Sequence, residues 1–222
     1  MCDEAGAGSC VHISDASDME TFASVASAKG KIIDGTGKGD TFAYPILDDD
    51  GFVLSQSAAV TLYVGKKFGF MPEKEQDVYK AIQYMNDAQD FMSEALSAVG
   101  DAKLVDDFLV SGPRFDAWMG NIERSIHGPY YFGQNFTCVD FYLLQCVDWV
   151  QISLLDPLEK LTGNKLAAYP KVVGMLERVR SLPSFKRQQS WRPKNLLPPM
   201  VPQSEWISEL ELRIKPKGRD SD

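Results

Sequence analysis

In the stretch YPILDDDGFVLSQSAAVTLYVGKKFG, residues 44–69, a polar pair, Gln56-Ser57, stands between an apolar run and the start of a helical pattern. Bare amide N–H groups and the positive end of the helix dipole gather at such a point. The pair could therefore grip an anion such as a carboxylate, with the serine hydroxyl as an added donor. Serine is equally at home as a plain N-cap that serves only its own helix. The residue types leave both readings open.

Other signals carry less chemistry. DGTGKGDT, Asp34 to Thr41, looks like a phosphate loop, but a P-loop needs Gly five residues before its Gly-Lys pair and Ser or Thr after it. Those places hold Ile32 and Gly39. His12 and His127 stand apart with no nucleophile pattern around them, which speaks against triad chemistry. Cys2, Cys10, Cys138 and Cys146 show neither C-x-x-C spacing nor a secretory context, so no disulfide framework and no metal site is expected. Cys138 and Cys146 fall about 12 Å apart along one helical pattern, too far to bond, and read as buried free thiols.

The elements that must position these groups follow from the spacing. Apolar ILD and FVL flank Asp49-Asp50-Gly51, a hairpin signal. Pro45 opens the first strand, where a missing N–H is tolerated. SAAVTLYVGKKF reads as a helix with Val60, Tyr63, Val64 and Phe68 near one face, stopped at Gly69. After Met71-Pro72 the pattern becomes helical throughout. Val78, Ile82, Met85, Met92, Leu96 and Val99 recur at helical spacing up to Gly100. A second helix runs to about Val110, breaks at Ser111-Gly112-Pro113 and resumes to Ile126. Thr137 and Asp140 have capping-box spacing ahead of a segment apolar almost all round, as in the centre of a bundle. Val172, Leu176 and Val179 mark a further helix with Pro170 in its first turn. The residues from 193 to 222 read as a wrapping tail with a loose terminus.

The chain has 222 residues with a formal net charge of −8 and a pI near 4.9. That balance argues against nucleic acid and anionic membrane surfaces as partners. No apolar run reads as a membrane span and no secretory signal is visible, so a reducing cytoplasm is expected.

The order of these features resembles the glutathione transferase family: a proline-led strand, a DG hairpin, QS at a helix start, a helical domain, then YYFGQNFTCVDFYLL and AYPKVVGMLERVRSLPSF. The resemblance covers roughly Ala16 to Trp191, and FMSEAL is similar to the sigma-like branch. It implies an α+β fold, with a thioredoxin-like domain over residues 1–72, incomplete at its start, an all-helical domain over 76–192 and a tail over 193–222. The boundary falls near Phe70 to Lys74. It further implies a homodimer that takes glutathione as co-substrate and joins its thiolate to a small electrophile, without a cofactor. Pro45 matches the family's cis-proline, and Tyr44 would offer its backbone to the cysteinyl part of glutathione. Gln56 and Ser57 match the pair that holds the γ-glutamyl carboxylate. Asp90, with Gln89 as the competing alignment, matches the residue that reaches the partner subunit's glutathione. Thr137 and Asp140 match the family's folding cap. Lys29, Lys31 and Lys38 are weaker candidates for the glycyl carboxylate, and Tyr84 and Tyr130 for a substrate pocket; a solvated loop and core packing are their plainer roles.

The pattern breaks at the N-terminus. A strand-helix-strand unit needs roughly thirty residues, and Met1 to Asp18 leaves no room for all of it. The activating Tyr, Ser or Cys of the family has no clear counterpart there; only Ser9 and Cys10 lie in reach. Two readings follow: an enzyme, or a non-catalytic binding or assembly module on the same fold.

Overall fold

A computed structural model describes residues 45–186 and 203–214. Tyr44, Ser9, Cys10, the three candidate lysines and the first two cysteines lie outside the described residues. Strand β1, Ile46–Asp49, pairs antiparallel with β2, Phe52–Ser55, in the register Asp49 to Phe52 and Ile46 to Ser55. The two-residue turn between them holds Asp50 at φ 53° and Gly51 at φ 90°. Only Gly and short polar residues enter that region cheaply, which is why Asp-Gly was a hairpin signal.

Helix α1, Ser57–Lys67, follows directly. Its two sides do different work. Ala58, Leu62 and Gly65 turn toward the helical core. Tyr63 faces the hairpin: its ring lies 5.1 Å from that of Phe52, and its hydroxyl donates to Asp49 Oδ2 at 2.5 Å. Lys67 Nζ donates to the same oxygen at 2.5 Å. The expected stripe of Val60, Tyr63, Val64 and Phe68 is therefore not the core face.

The helical part comprises α2 (Glu75–Ala98), α3 (Ala102–Val105), α4 (Arg114–Ser125), α5 (Cys138–Val150), α6 (Asp156–Thr162), α7 (Pro170–Ser181) and α8 (Gln203–Ile214). Wide π turns at Asp106–Val110 and Gln151–Leu155 extend α3 and join α5 to α6. The first ends at the Ser111-Gly112-Pro113 break. Helix α2 buries Ala81, Tyr84, Met85, Ala88, Phe91, Ala95 and Ala98 against α5 and its neighbours. Val78, Ile82, Met92 and Leu96 flank that stripe half-buried. Alanines take the centre because two helix backbones approach closely there.

Helix α5 is buried on nearly every side, as its all-apolar composition required. The span Cys138–Thr162 is long and apolar enough to cross a membrane by length and composition alone, yet 61% of its apolar window is buried among the other helices, as in a core helix. The tail also departs from expectation. Residues 203–214 form α8, which seats Trp206 and Leu210 against α3 and α6.

The cap of α5 is a built polar centre. Asp140 Oδ2 accepts from the Thr137 amide at 2.7 Å and from its hydroxyl at 3.1 Å, while Oδ1 accepts from the Tyr131 amide at 2.9 Å. Asp140 is fully buried. Burial pushes its carboxyl up to about 6, against the pull of those three donors. The native state therefore holds a proton between about pH 4 and 6 that the unfolded chain has released. This group's contribution to stability rises as pH falls from 6 toward 4 and is lost as pH climbs through 6. Asp140→Asn should cost about 1–3 kcal/mol at pH 7 by placing a donor opposite one of the two amides. Urea unfolding should show the gap to wild type widening between pH 7 and pH 4.5; a constant gap would contradict the assignment.

Candidate functional site

The site is the elbow where β2 turns into α1. Gln56 occupies the N-cap position with φ 76° and ψ 128°, and no side chain caps the helix. The first rung of the ladder is the Val60 amide donating to the Gln56 carbonyl at 2.9 Å. The amides of Ser57, Ala58 and Ala59 precede that ladder. Ser57 is thus the first residue inside the helix, and the plain N-cap reading of its hydroxyl does not hold. What remains is a run of N–H groups at the positive end of an 11-residue helix, an arrangement suited to a carboxylate. Gln56 is exposed and strained: a non-glycine residue in that backbone region costs of order 1–3 kcal/mol.

The elbow is fixed from the helical side. Gly65 is the one fully buried residue of α1. A Cβ there would lie 2.8 Å from both Cβ and Sγ of Cys138, closer than atoms can approach. The Cys138 amide, otherwise an orphan at the start of α5, donates to the Phe70 carbonyl at 2.8 Å. The Cys138 thiol lies 3.3 Å from Met71 Sδ. Near the N-terminal end of α1, the Ser57 hydroxyl meets that of Tyr142 at 3.0 Å, and Tyr142 donates to Gln89 Oε1 at 2.8 Å. Gln89 Nε2 in turn donates to Ser93 at 3.2 Å.

The structure therefore places Pro45 exposed at the mouth of β1, with Gln56 and Ser57 together at the elbow. It also separates the two alignment candidates on α2. Gln89 is half-buried and held by Tyr142, whereas Asp90 is exposed. Tyr84 belongs to the core, stacked on Tyr131 with ring centroids 4.8 Å apart. Cys138 and Cys146 are free and buried, and burial pushes both thiols up to about 12, so neither offers a thiolate at neutral pH. Sequence reasoning missed Tyr142 and Gly65. A tyrosine in an apolar helix looks like core, and a glycine in a helical run shows no sign of the partner it touches.

Residues 106–187 match the family model described as glutathione S-transferase, C-terminal domain. Glutathione S-transferase 1 of Ascaris suum is 26% identical over 165 residues, covering 68% of this chain and 74% of the relative. The solved glutathione S-transferase of Ascaris lumbricoides superposes with a TM-score of 0.59 at 24% identity, over 77% of this chain and 82% of that one. A solved glutathione S-transferase of the hookworm Necator americanus, described as monomeric, gives a TM-score of 0.60 at 23% identity, over 78% and 83%. Fold and helical domain thus define a glutathione-transferase-like protein, with a β-hairpin and helix α1 ahead of its helical domain. Residues 106–187 form a glutathione S-transferase C-terminal domain, and the matched span shares the fold of those transferases.

Two substitutions check the elbow. Gly65→Ala should destabilise the protein by about 1–3 kcal/mol through overpacking, and Cys138→Gly in the same chain should recover much of that loss in thermal unfolding; no recovery would mean that Gly65 is needed for another reason. Gln56→Gly should raise the melting temperature by roughly 2–4 °C, from about 1 kcal/mol of relieved strain. A lowered one would show that the Gln56 backbone is not strained.

Proposed function

We propose that this protein binds glutathione at the α1 elbow and joins its thiolate to small electrophiles. The observation that carries the reading is the helix start with no side-chain cap behind a strained Gln56, in a chain whose residues 106–187 match the glutathione S-transferase C-terminal domain. The γ-glutamyl carboxylate of glutathione sits on the amides of Ser57 to Ala59, beside the Gln56 side chain. Tyr44 offers backbone hydrogen bonds to the cysteinyl part, and Pro45 shapes the chain that presents them. The nucleophile is the glutathione thiolate itself, so the protein's task is to hold the tripeptide and favour its ionised sulfur. The group that does the latter belongs to the N-terminal segment, where Ser9 and Cys10 are the candidates.

The reading takes the enzyme to be a cytoplasmic homodimer. Its support is Asp90, exposed on α2 on the side open to a neighbouring subunit's ligand, with no ion pair among the described residues drawing it away.

The test is retention on immobilised glutathione with elution by free glutathione, followed by thiol conjugation to a chloronitrobenzene and by the mass in solution. Retention, turnover and twice the 24.7 kDa of the chain are expected. Ser57→Ala should weaken retention while shifting the melting temperature by only a few degrees. Retention without turnover would overturn the catalytic part, a monomeric mass the dimer, and no retention at all the glutathione site.

A further inference from the structure

Ser57 has one hydroxyl proton, and the bonds around Tyr142 give its direction. Gln89 Oε1 carries no proton, so its 2.8 Å contact with Tyr142 is made by the tyrosine's only one. The Gln89 amide stands with its nitrogen toward Ser93 and its oxygen toward Tyr142. With the amide in that orientation, the 3.0 Å contact between Ser57 and Tyr142 runs from Ser57 to Tyr142. A carboxylate arriving at the elbow is an acceptor only. It finds the Ser57 hydroxyl turned away and spent on the helical domain. Tyr142 is buried, so its oxygen has no ready substitute donor once Ser57 leaves.

We propose that Tyr142 is an affinity-setting residue: it competes with the ligand's carboxylate for the Ser57 proton and so holds glutathione binding below what the elbow alone would give. The inference rests on the glutathione reading above. It assigns a role in ligand selection to a residue that touches no ligand. Binding takes place either by breaking the Ser57–Tyr142 bond or by using the backbone amides alone. In both cases the carboxylate forgoes about one hydrogen bond's net worth. That corresponds to roughly fivefold in affinity, within a range of about two- to tenfold.

Two variants release the proton by different routes. Tyr142→Phe removes the competing oxygen and keeps the ring in the core. Gln89→Leu frees the Tyr142 proton, which can then be given to Ser57, so that the serine proton turns outward. Calorimetric titration of the full chain with glutathione should show both variants binding about two- to tenfold more tightly than wild type. Cysteinylglycine, which lacks the γ-glutamyl carboxylate, should show no such gain. Adding Ser57→Ala to Tyr142→Phe should erase the gain, leaving the affinity of Ser57→Ala alone.

Unchanged or weaker glutathione binding in both variants, with wild type binding normally, overturns the inference and leaves the glutathione site standing. An equal gain for cysteinylglycine also overturns it, since the carboxylate would not be the group affected. Absence of glutathione binding in wild type and variants alike removes the proposed function, and this inference with it. Should Tyr142→Phe fold poorly, the Gln89→Leu comparison decides alone.

Discussion

The rest of the structure depends on a contact with no room for a methyl group. Helix α1 touches the start of α5 at Gly65, where an added Cβ would be 2.8 Å from Cys138. The first amides of any helix lack a partner within it, and a second helix packed closely there shields them from water. Here the Cys138 amide finds the Phe70 carbonyl, on the chain that leaves α1. The same short stretch of α5 is held from behind by Asp140, whose buried carboxylate collects the Thr137 and Tyr131 amides. One polar centre therefore orients α5, and α5 orients the elbow. A folding cap and a ligand site, separate ideas in the sequence, become consecutive links of one chain of contacts.

That arrangement explains why so little of α1 is buried. Its core face consists of small residues and one leucine, so the helix lies close but gains modest apolar burial. Polar contacts make up the difference at both ends. Asp49 collects Tyr63 and Lys67 at the C-terminal end, and the bonds from Lys67 and Tyr63 hold its carboxyl pKa below the usual carboxylate range. Ser57 and Tyr142 tie the N-terminal end. An exposed ion pair such as Lys67–Asp49 stabilises little by itself. Its use is directional, keeping the hairpin at a fixed angle to the helix whose amides face outward.

Much of this was legible in the sequence, and the failures have physical causes. Asp50-Gly51, Thr137 with Asp140, and the Ser111-Gly112-Pro113 break are set by local backbone chemistry, and each lies where the residues put it. The core face of α2 was read from its large side chains, but the close approach of α5 gives the centre to alanines. Helix α8 was hidden because the prolines before it masked a short amphipathic run, whose Trp206 and Leu210 gain meaning only against α3. Gln56 and Ser57 were singled out by their place at a helix start, and that is where they lie. The partner of Ser57 lies 85 residues away, and no spacing rule reaches that far.

The strain at Gln56 and the engagement of Ser57 bear on each other. A helix start left bare of side-chain caps is unstable unless something else satisfies it or holds it open. Gln56 holds its own carbonyl in line for Val60 while its backbone leaves the allowed basins. Tyr142 holds the Ser57 hydroxyl against the helical domain. The tyrosine thus withholds one donor from an arriving carboxylate and leaves the backbone amides in place. Three N–H groups at a helix start exceed one hydroxyl as a grip on an anion. Selection at such a site falls first to the backbone and only second to the serine.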